Sequence, residues 1–261
     1  MCNRGGSGVS VLQSACCRYG ARPCHRPLAC AGPALGVLAH PLRVIFNRLS
    51  RAFGPQHWWP ATTPFEMMVG AILTQAANWQ NVERAIGELK RTRTLTPHSM
   101  VATSRRRVER LIRSAGYFRQ KAKRLRVFSR WYLSRYNGRP ARMFGTPWPA
   151  LRRELLSLHG IGPETADAIL LYAGGQPVFV VDAYTILVLR RHHLIEADAT
   201  YEEVQQLAMH QWPRRPKVYN EFHALVVAVG KRFCHRRDPD CTHCPLGDLP
   251  HTIEVTVNGR R

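Results

Sequence analysis

From residue 41 onward the apolar positions recur at helical rather than alternating spacing. Phe65, Met68, Val69, Ile72 and Leu73 follow an i, i+3, i+4 rhythm. Ahead of them, Thr63-Pro64-Phe65-Glu66 places a hydroxyl cap, a first-position proline and a third-position acid, the signature of a capping box. A second helix is expected after Asn81. Thr200 to Glu203 repeats the capping pattern and opens a helix that must stop near Trp212-Pro213, because proline cannot continue it. Another helix is predicted from about Lys217 to Phe233. Only Val178 to Val181 is β-like, and that run reads equally well as an extended connector. The fold class is therefore all-α, with no internal repeat.

Length and charge add the first functional constraint. The 261 residues, 45% of them hydrophobic, suffice for one large domain or two small ones. A formal charge of +21, from 38 Lys and Arg against 17 Asp and Glu, makes a polyanion the first partner to consider. The bias peaks between Arg105 and Arg142, with 14 basic residues against one acid, Glu109. These are either solvated surface charges screened over about 8 to 10 Å, or groups that neutralise phosphates and make affinity fall steeply with salt. No apolar run approaches the roughly 20 residues of a spanning helix. Residues 1–33 are rich in Gly, Arg and Cys, lack acids and show no sustained periodicity. They are expected to be a disordered extension, a targeting segment or a start-site extension, and their composition can mimic an organellar transit peptide.

The chemistry concentrates in Leu158 to Asp182, LHGIGPETADAILLYAGGQPVFVVD. Gly160 and Gly162 permit a tight turn between two helices, and Pro163 suits the first helical position. The first-turn amides that follow are left unpaired and can hold a phosphate. Asp182 closes the apolar run Val178-Phe179-Val180-Val181, so a carboxylate stands where the segment reads as buried. It is a candidate catalytic acid, and equally a candidate N-cap for a helix beginning Ala183-Tyr184-Thr185. Near the other end, Cys234, Cys241 and Cys244 have metal-ligand spacing.

Together these residues resemble the helix-hairpin-helix, Gly/Pro-rich loop and aspartate signature of the endonuclease III superfamily of DNA glycosylases. The resemblance extends through Pro64-Phe65-Glu66 to Gln75, through Leu111-Ile112, Gly116-Tyr117-Phe118 and Lys121-Ala122, and forward to Cys244. Trp58-Trp59-Pro60, the run from Gly70 to Gln75, and Asn78-Trp79 are similar to the endonuclease III-related branch, which includes 3-methyladenine DNA glycosylases. The resemblance implies a domain over residues 34–233, with a contiguous helical bundle at about 68–180. A second subdomain would join 34–67 to 181–233, the cysteine loop would span 234–251, and a tail would follow at 252–261. A DNA-binding cleft is expected between the two subdomains.

The same resemblance implies the roles. Asp182 would be the catalytic carboxylate, stabilising an oxocarbenium-like sugar and handling the attacking water. Trp58, Trp59, Pro60 and Trp79, with Glu164 and Lys231, would line the pocket for a flipped base, although tryptophans at these positions also suit a core. Gln75 would fill the gap left by the flipped nucleotide, and Gly160, Gly162 and Thr165 would grip the backbone. Where bifunctional enzymes carry a lysine that forms a Schiff base, this chain has Glu164, which cannot form an imine. The expectation is a monofunctional glycosylase for alkylated purines, acting as a monomer on double-stranded DNA that contains a damaged base. The alternatives are an endonuclease III-type glycosylase and lyase for oxidised pyrimidines, and a catalytically inactive DNA-binding protein. The expected compartment is the nucleoid-bearing cytoplasm for a bacterial source, and otherwise the nucleus or mitochondrion. Cys234, Cys241 and Cys244 match three ligands of the superfamily's [4Fe-4S] loop, but Pro250 occupies the fourth place, with His251, His235 and His243 nearby. Three thiolates plus a histidine could bind a cluster or zinc, an N-terminal cysteine could reach the loop as the fourth ligand, or the loop could be empty.

Overall fold

The computed structural model describes residues 40–253, and the expectation for residues 1–33 and most of that for the tail lie outside them. Among the described residues twelve α-helices run in chain order: α1 (Pro41–Phe53), α2 (Pro64–Leu73), α3 (Trp79–Arg91), α4 (Pro97–Ala102), α5 (Arg105–Leu111), α6 (Phe118–Tyr136), α7 (Pro140–Phe144), α8 (Trp148–Leu156), α9 (Pro163–Ala168), α10 (Ala183–Arg191), α11 (Tyr201–Gln211) and α12 (Pro216–Arg232). A 3₁₀ turn at Arg113–Ala115 precedes α6, and a π-turn at Ile169–Ala173 continues α9. Among the described residues there is no strand, and Val178 to Val181 form an extended, buried connector.

The hub is α2, where every residue from Phe65 to Leu73 is buried. A helix apolar on all sides must be surrounded, and α2 packs against α3, α6, α9 and the π-turn. By contrast α3 buries one stripe, Val82, Ala85, Ile86 and Leu89, and leaves its charges outside. α1 lies against α11 and α12, and α10 against α12. α2 packs on the π-turn, the π-turn on α12, and α12 on α10, so this series of contacts connects the central helix to the helix that Asp182 begins.

Local capping signals were realised unevenly. Thr200 and Glu203 form a complete capping box, each side chain meeting the other's backbone N–H. At α2 only half of the expected box forms. The Thr63 hydroxyl accepts from Glu66 N at 3.1 Å, but the Glu66 carboxylate turns instead to the Thr62 hydroxyl at 2.5 Å and Lys90 Nζ at 2.6 Å. Glu66 is buried and needs a cation, which outweighs one backbone cap. The second helix begins at Trp79, capped by Asn78, rather than after Asn81. Among the described residues no helix is long and apolar enough to cross a membrane.

The basic stretch divides. Lys121 is fully buried and donates to Leu73 O at 2.8 Å and Ala115 O at 2.7 Å, tying the end of α2 to the 3₁₀ turn. Burial, then the charge of Arg124, pushes its pKa down to about 8. Arg126 holds the carbonyls of Met100, Val101 and Thr103, and Arg105 and Arg135 pair with Glu109 and Glu154. Arg106, Arg107, Arg110, Arg113, Arg119, Lys123, Arg130, Arg139 and Arg142 remain exposed.

Candidate active site and nucleic-acid interface

The turn between α8 and α9 forms as its glycines require. Gly160 has φ +83°, and a Cβ there would lie 2.3 Å from Arg124 Nε, so both conformation and space demand glycine. Gly162 caps α9 in extended backbone and Pro163 takes its first position. Gln75, at the end of the α2 segment, binds this hairpin directly. Its amide donates to Gly160 O at 3.0 Å and to the Thr165 hydroxyl at 2.8 Å, while its oxygen accepts from Arg124. Thr165 is buried. Gln75 and Thr165 therefore meet each other in this structure, rather than standing free toward a ligand.

Asp182 caps α10. Its Oδ1 accepts from Thr185 N at 2.7 Å and from the Thr185 hydroxyl at 2.8 Å. The side chain is 15% exposed, and Oδ2 lies 3.7 Å from His223 Nε2. Glu164, in the first turn of α9, lies near enough for its charge and that of Asp182 to repel. It is open to solvent on one side, but protein encloses the rest of its carboxyl. That burial, reinforced by the charge of Asp182, pushes its pKa up to about 7.

Three tryptophans form one cluster. Trp59 and Trp79 meet edge to face with centroids 4.9 Å apart, and Trp58 lies 5.5 Å from Trp59 and 6.3 Å from Trp79. Trp59 also lies 5.6 Å from Tyr172, and a Cβ at Gly70 would approach its ring to 3.3 Å, so the small residue makes room for the indole. All three indoles are only half-buried, and Pro60 is exposed. Lys231, near the end of α12, is exposed and holds its ammonium 5.8 Å from the Trp58 centroid.

Two residues not singled out in the sequence complete the site. Tyr172, in the π-turn, shares a 2.6 Å hydrogen bond with His223 Nδ1. Burial and then the Asp182 and Glu164 charges push the Tyr172 phenol well above its ordinary pKa. Burial, partly opposed by Asp182, holds His223 below the usual imidazole range. The available signal was weak: a single histidine inside the apolar run Phe222-His223-Ala224-Leu225. A cavity of about 550 Å3 between α10 and α12, lined by Ala183, Tyr184, Leu187, Gly230, Lys231 and His235, adjoins this site. It includes neither Asp182 nor the tryptophans.

α9 is also anchored by a fully buried carboxylate. Asp167 accepts from Arg152 Nε at 2.7 Å, Arg152 Nη2 at 3.0 Å, the Tyr201 hydroxyl at 2.9 Å and Gln205 Nε2 at 2.7 Å.

The cysteine loop does not assemble a four-ligand site. Cys234 is buried, and its sulfur accepts from Arg191 Nη1 at 3.1 Å, while Cys241 and Cys244 are half-buried. The neighbouring imidazoles are engaged elsewhere: His251 with Leu249 O at 2.8 Å, His235 with Lys231 O at 3.0 Å and His243 with Asp240 at 2.9 Å. Among the described residues no three Cys, His, Asp or Glu side chains converge as a metal site. With Pro250 in the fourth place, the donor set among the described residues supplies three thiolates and not the four of a four-thiolate cluster.

The description "HhH-GPD superfamily base excision DNA repair protein" matches residues 69–214. A Methanocaldococcus jannaschii protein named as a DNA repair glycosylase is 41% identical over 207 residues, covering 78% of this chain and 93% of its own. Among solved structures, the H. pylori 3-methyladenine DNA glycosylase bound to 1,N6-ethenoadenine aligns with a TM-score of 0.62 and 27% identity, covering 73% of this chain and 95% of its own. An endonuclease III–DNA complex aligns with a TM-score of 0.71 and 25% identity, covering 82% and 96%.

Proposed function

This chain belongs to the HhH-GPD superfamily of base excision DNA repair proteins, as a DNA glycosylase, and we propose that within it the protein is monofunctional and releases an alkylated purine by hydrolysis. The observation that carries this reading is Glu164 beside Asp182. A carboxyl with a pKa near 7 stands where a lyase needs an amine, and it cannot form the imine that leads to strand cleavage.

In this reading the helical halves on either side of residues 68 and 180 flank the DNA. Exposed arginines of the 105–142 stretch neutralise phosphates, and the backbone of the Gly160–Gly162 hairpin positions one of them. The target nucleotide leaves the stack, and its base enters the space bordered by Trp58, Trp59, Trp79 and Tyr172. A purine alkylated at N3 or N7, such as 3-methyladenine, is cationic in DNA and already a good leaving group, so π-faces bind it without strong acid catalysis. Asp182, with Oδ1 held by Thr185, turns Oδ2 to the developing positive charge on the sugar and to the attacking water. Lys231 borders the tryptophans. Gln75, released from the hairpin, would be the group that meets the orphaned partner base. No step depends on the cysteine loop.

The likeness to endonuclease III favours a second reading, a glycosylase and lyase for oxidised pyrimidines. One panel separates them: duplexes carrying 3-methyladenine, 7-methylguanine, thymine glycol, uracil or mismatched thymine, scored separately for base release and strand nicking. Release of methylated purines without nicking, and no borohydride-trapped adduct on abasic DNA, is the expected result. A trapped adduct would overturn the monofunctional reading. Release of no base from any duplex would leave a DNA-binding protein.

A further inference from the structure

His223 is the one buried histidine among the described residues. It sits in the apolar face of α12 with Phe222, Ala224, Leu225 and Val226 buried around it. An imidazole buried this deeply needs partners for both nitrogens. Nδ1 has the Tyr172 hydroxyl at 2.6 Å, but Nε2 is buried without a hydrogen bond and faces Asp182 Oδ2 at 3.7 Å. On its side, Asp182 divides its oxygens: Oδ1 takes both bonds from Thr185, and Oδ2 takes none among the described residues.

We infer that Tyr172 and His223 are positioning residues for base release, the Tyr172 hydroxyl fixing His223 as its neutral Nε2–H tautomer so that this N–H holds the reactive oxygen of Asp182. The inference rests on the reading of Asp182 as the carboxylate of base release.

The tautomer follows from donor and acceptor counting. If Nδ1 carried the proton, Nε2 would present a lone pair to a carboxylate, two acceptors facing each other in a nearly dry site, and the Tyr172 proton would have no acceptor there. If the hydroxyl donates to Nδ1, each group meets its complement. Burial of the ring favours the neutral imidazole, and the charge of Asp182 opposes it only in part. Asp182 faces the ring from α10, Tyr172 from the π-turn and Glu164 lies beyond them on α9, while Phe179 and Phe222 supply apolar walls. The 3.7 Å separation is longer than a hydrogen bond, and contacts of this kind close when substrate excludes water. Asp182 stands beside a second carboxyl, Glu164, so a fixed donor keeps its free oxygen directed at the sugar rather than turned from its neighbour.

Two measurements test this. The first is nitrogen-15 NMR of histidine-labelled protein, with His223 assigned by its loss in His223→Gln. It should show the Nε2–H tautomer, and Tyr172→Phe should shift the ring toward a mixture. The second is single-turnover release of methylated purine beside DNA affinity by fluorescence anisotropy. His223→Leu should slow release about 10- to 100-fold, the range for losing a hydrogen bond to a charged group, while affinity changes less than about twofold. His223→Gln, whose amide restores an N–H, should recover part of the rate. If His223→Leu fails to fold, Tyr172→Phe carries the rate test, since it removes one hydroxyl and keeps the ring. An Nδ1–H ring in the native protein, or a native release rate in His223→Leu or Tyr172→Phe, overturns the inference. Failure of the native protein to release any base overturns the functional reading instead, and the tautomer is read independently of activity.

Discussion

Asp182 carries two functions in one side chain, and Asp182→Asn separates them. As a cap, Asp182 accepts from Thr185 N at 2.7 Å and the Thr185 hydroxyl at 2.8 Å through Oδ1 alone. An asparagine oxygen can take both bonds, and asparagine equals aspartate as an N-cap. Loss of the favourable acid at the start of α10 is worth about 0.3 to 1 kcal/mol, and it is offset by removing repulsion with Glu164. The melting temperature should therefore move by less than about 2 °C. As a charge, Asp182 faces a sugar that acquires positive charge in the transition state. A full unit charge about 4 Å away interacts by about 4 kcal/mol at an effective dielectric of 20. That corresponds to roughly a thousandfold in rate, and a partly developed charge to roughly a hundredfold. Asp182→Ala removes charge and cap together, so its rate should fall as far, while the lost cap, about 1 kcal/mol, lowers the melting point by about 2 to 4 °C. Single-turnover release of methylated purine and thermal melting of both variants measure the two effects. An Asp182→Asn rate within about fivefold of native, or a melting loss equal to that of Asp182→Ala, would refute the reasoning.

Two further predictions concern the supports of the site. Glu164 has a pKa near 7 in the folded protein against 4.5 for an ordinary glutamate, so the folded state binds more protons between those values and stability declines as pH rises through that window. Glu164→Gln escapes the decline, and its melting point should match native near pH 4.5 and exceed it by a margin that widens to about pH 8. A constant margin would show that Glu164 does not titrate there. Asp167→Ala leaves Arg152, whose side chain is only 17% exposed, with no carboxylate nearer than Glu202 at 3.8 Å, and removes the acceptor for the Tyr201 hydroxyl and one of the two for Gln205. Breaking such a buried pair costs about 3 to 5 kcal/mol, so the melting temperature should drop by about 10 °C. A loss under about 2 °C would mean that the network adds nothing to the fold.

Much of the architecture was legible because its signals are local. The cap at Thr200, the proline stops and the helical spacing of α2 and α3 depend on neighbours within a few residues, and they hold in any surroundings. Gly160 and Gly162 announced a hairpin because the required backbone is closed to side chains. The same local logic failed at Glu66, whose carboxylate left its own helix start for Lys90 on α3 once both were packed together. It also misjudged part of the basic stretch: Lys121, Arg124 and Arg126 have the composition of a DNA-binding surface but serve as clamps on carbonyls and on Gln75.

By itself, the sequence determined the all-α fold, the hairpin, the placing of Asp182 at a helix start, the absence of an amine at position 164 and the missing fourth cysteine. Each is a property of one residue or of a short run. Only the tertiary structure decided what those residues meet. It brought Trp58 under Lys231, Gln75 onto Gly160 and Thr165, and His223 between Tyr172 and Asp182, across separations of tens to well over a hundred residues. Such pairings arise when amphipathic faces are buried against one another, and burial then imposes the demand for complementary donors and acceptors. That demand can be read only after the faces have met.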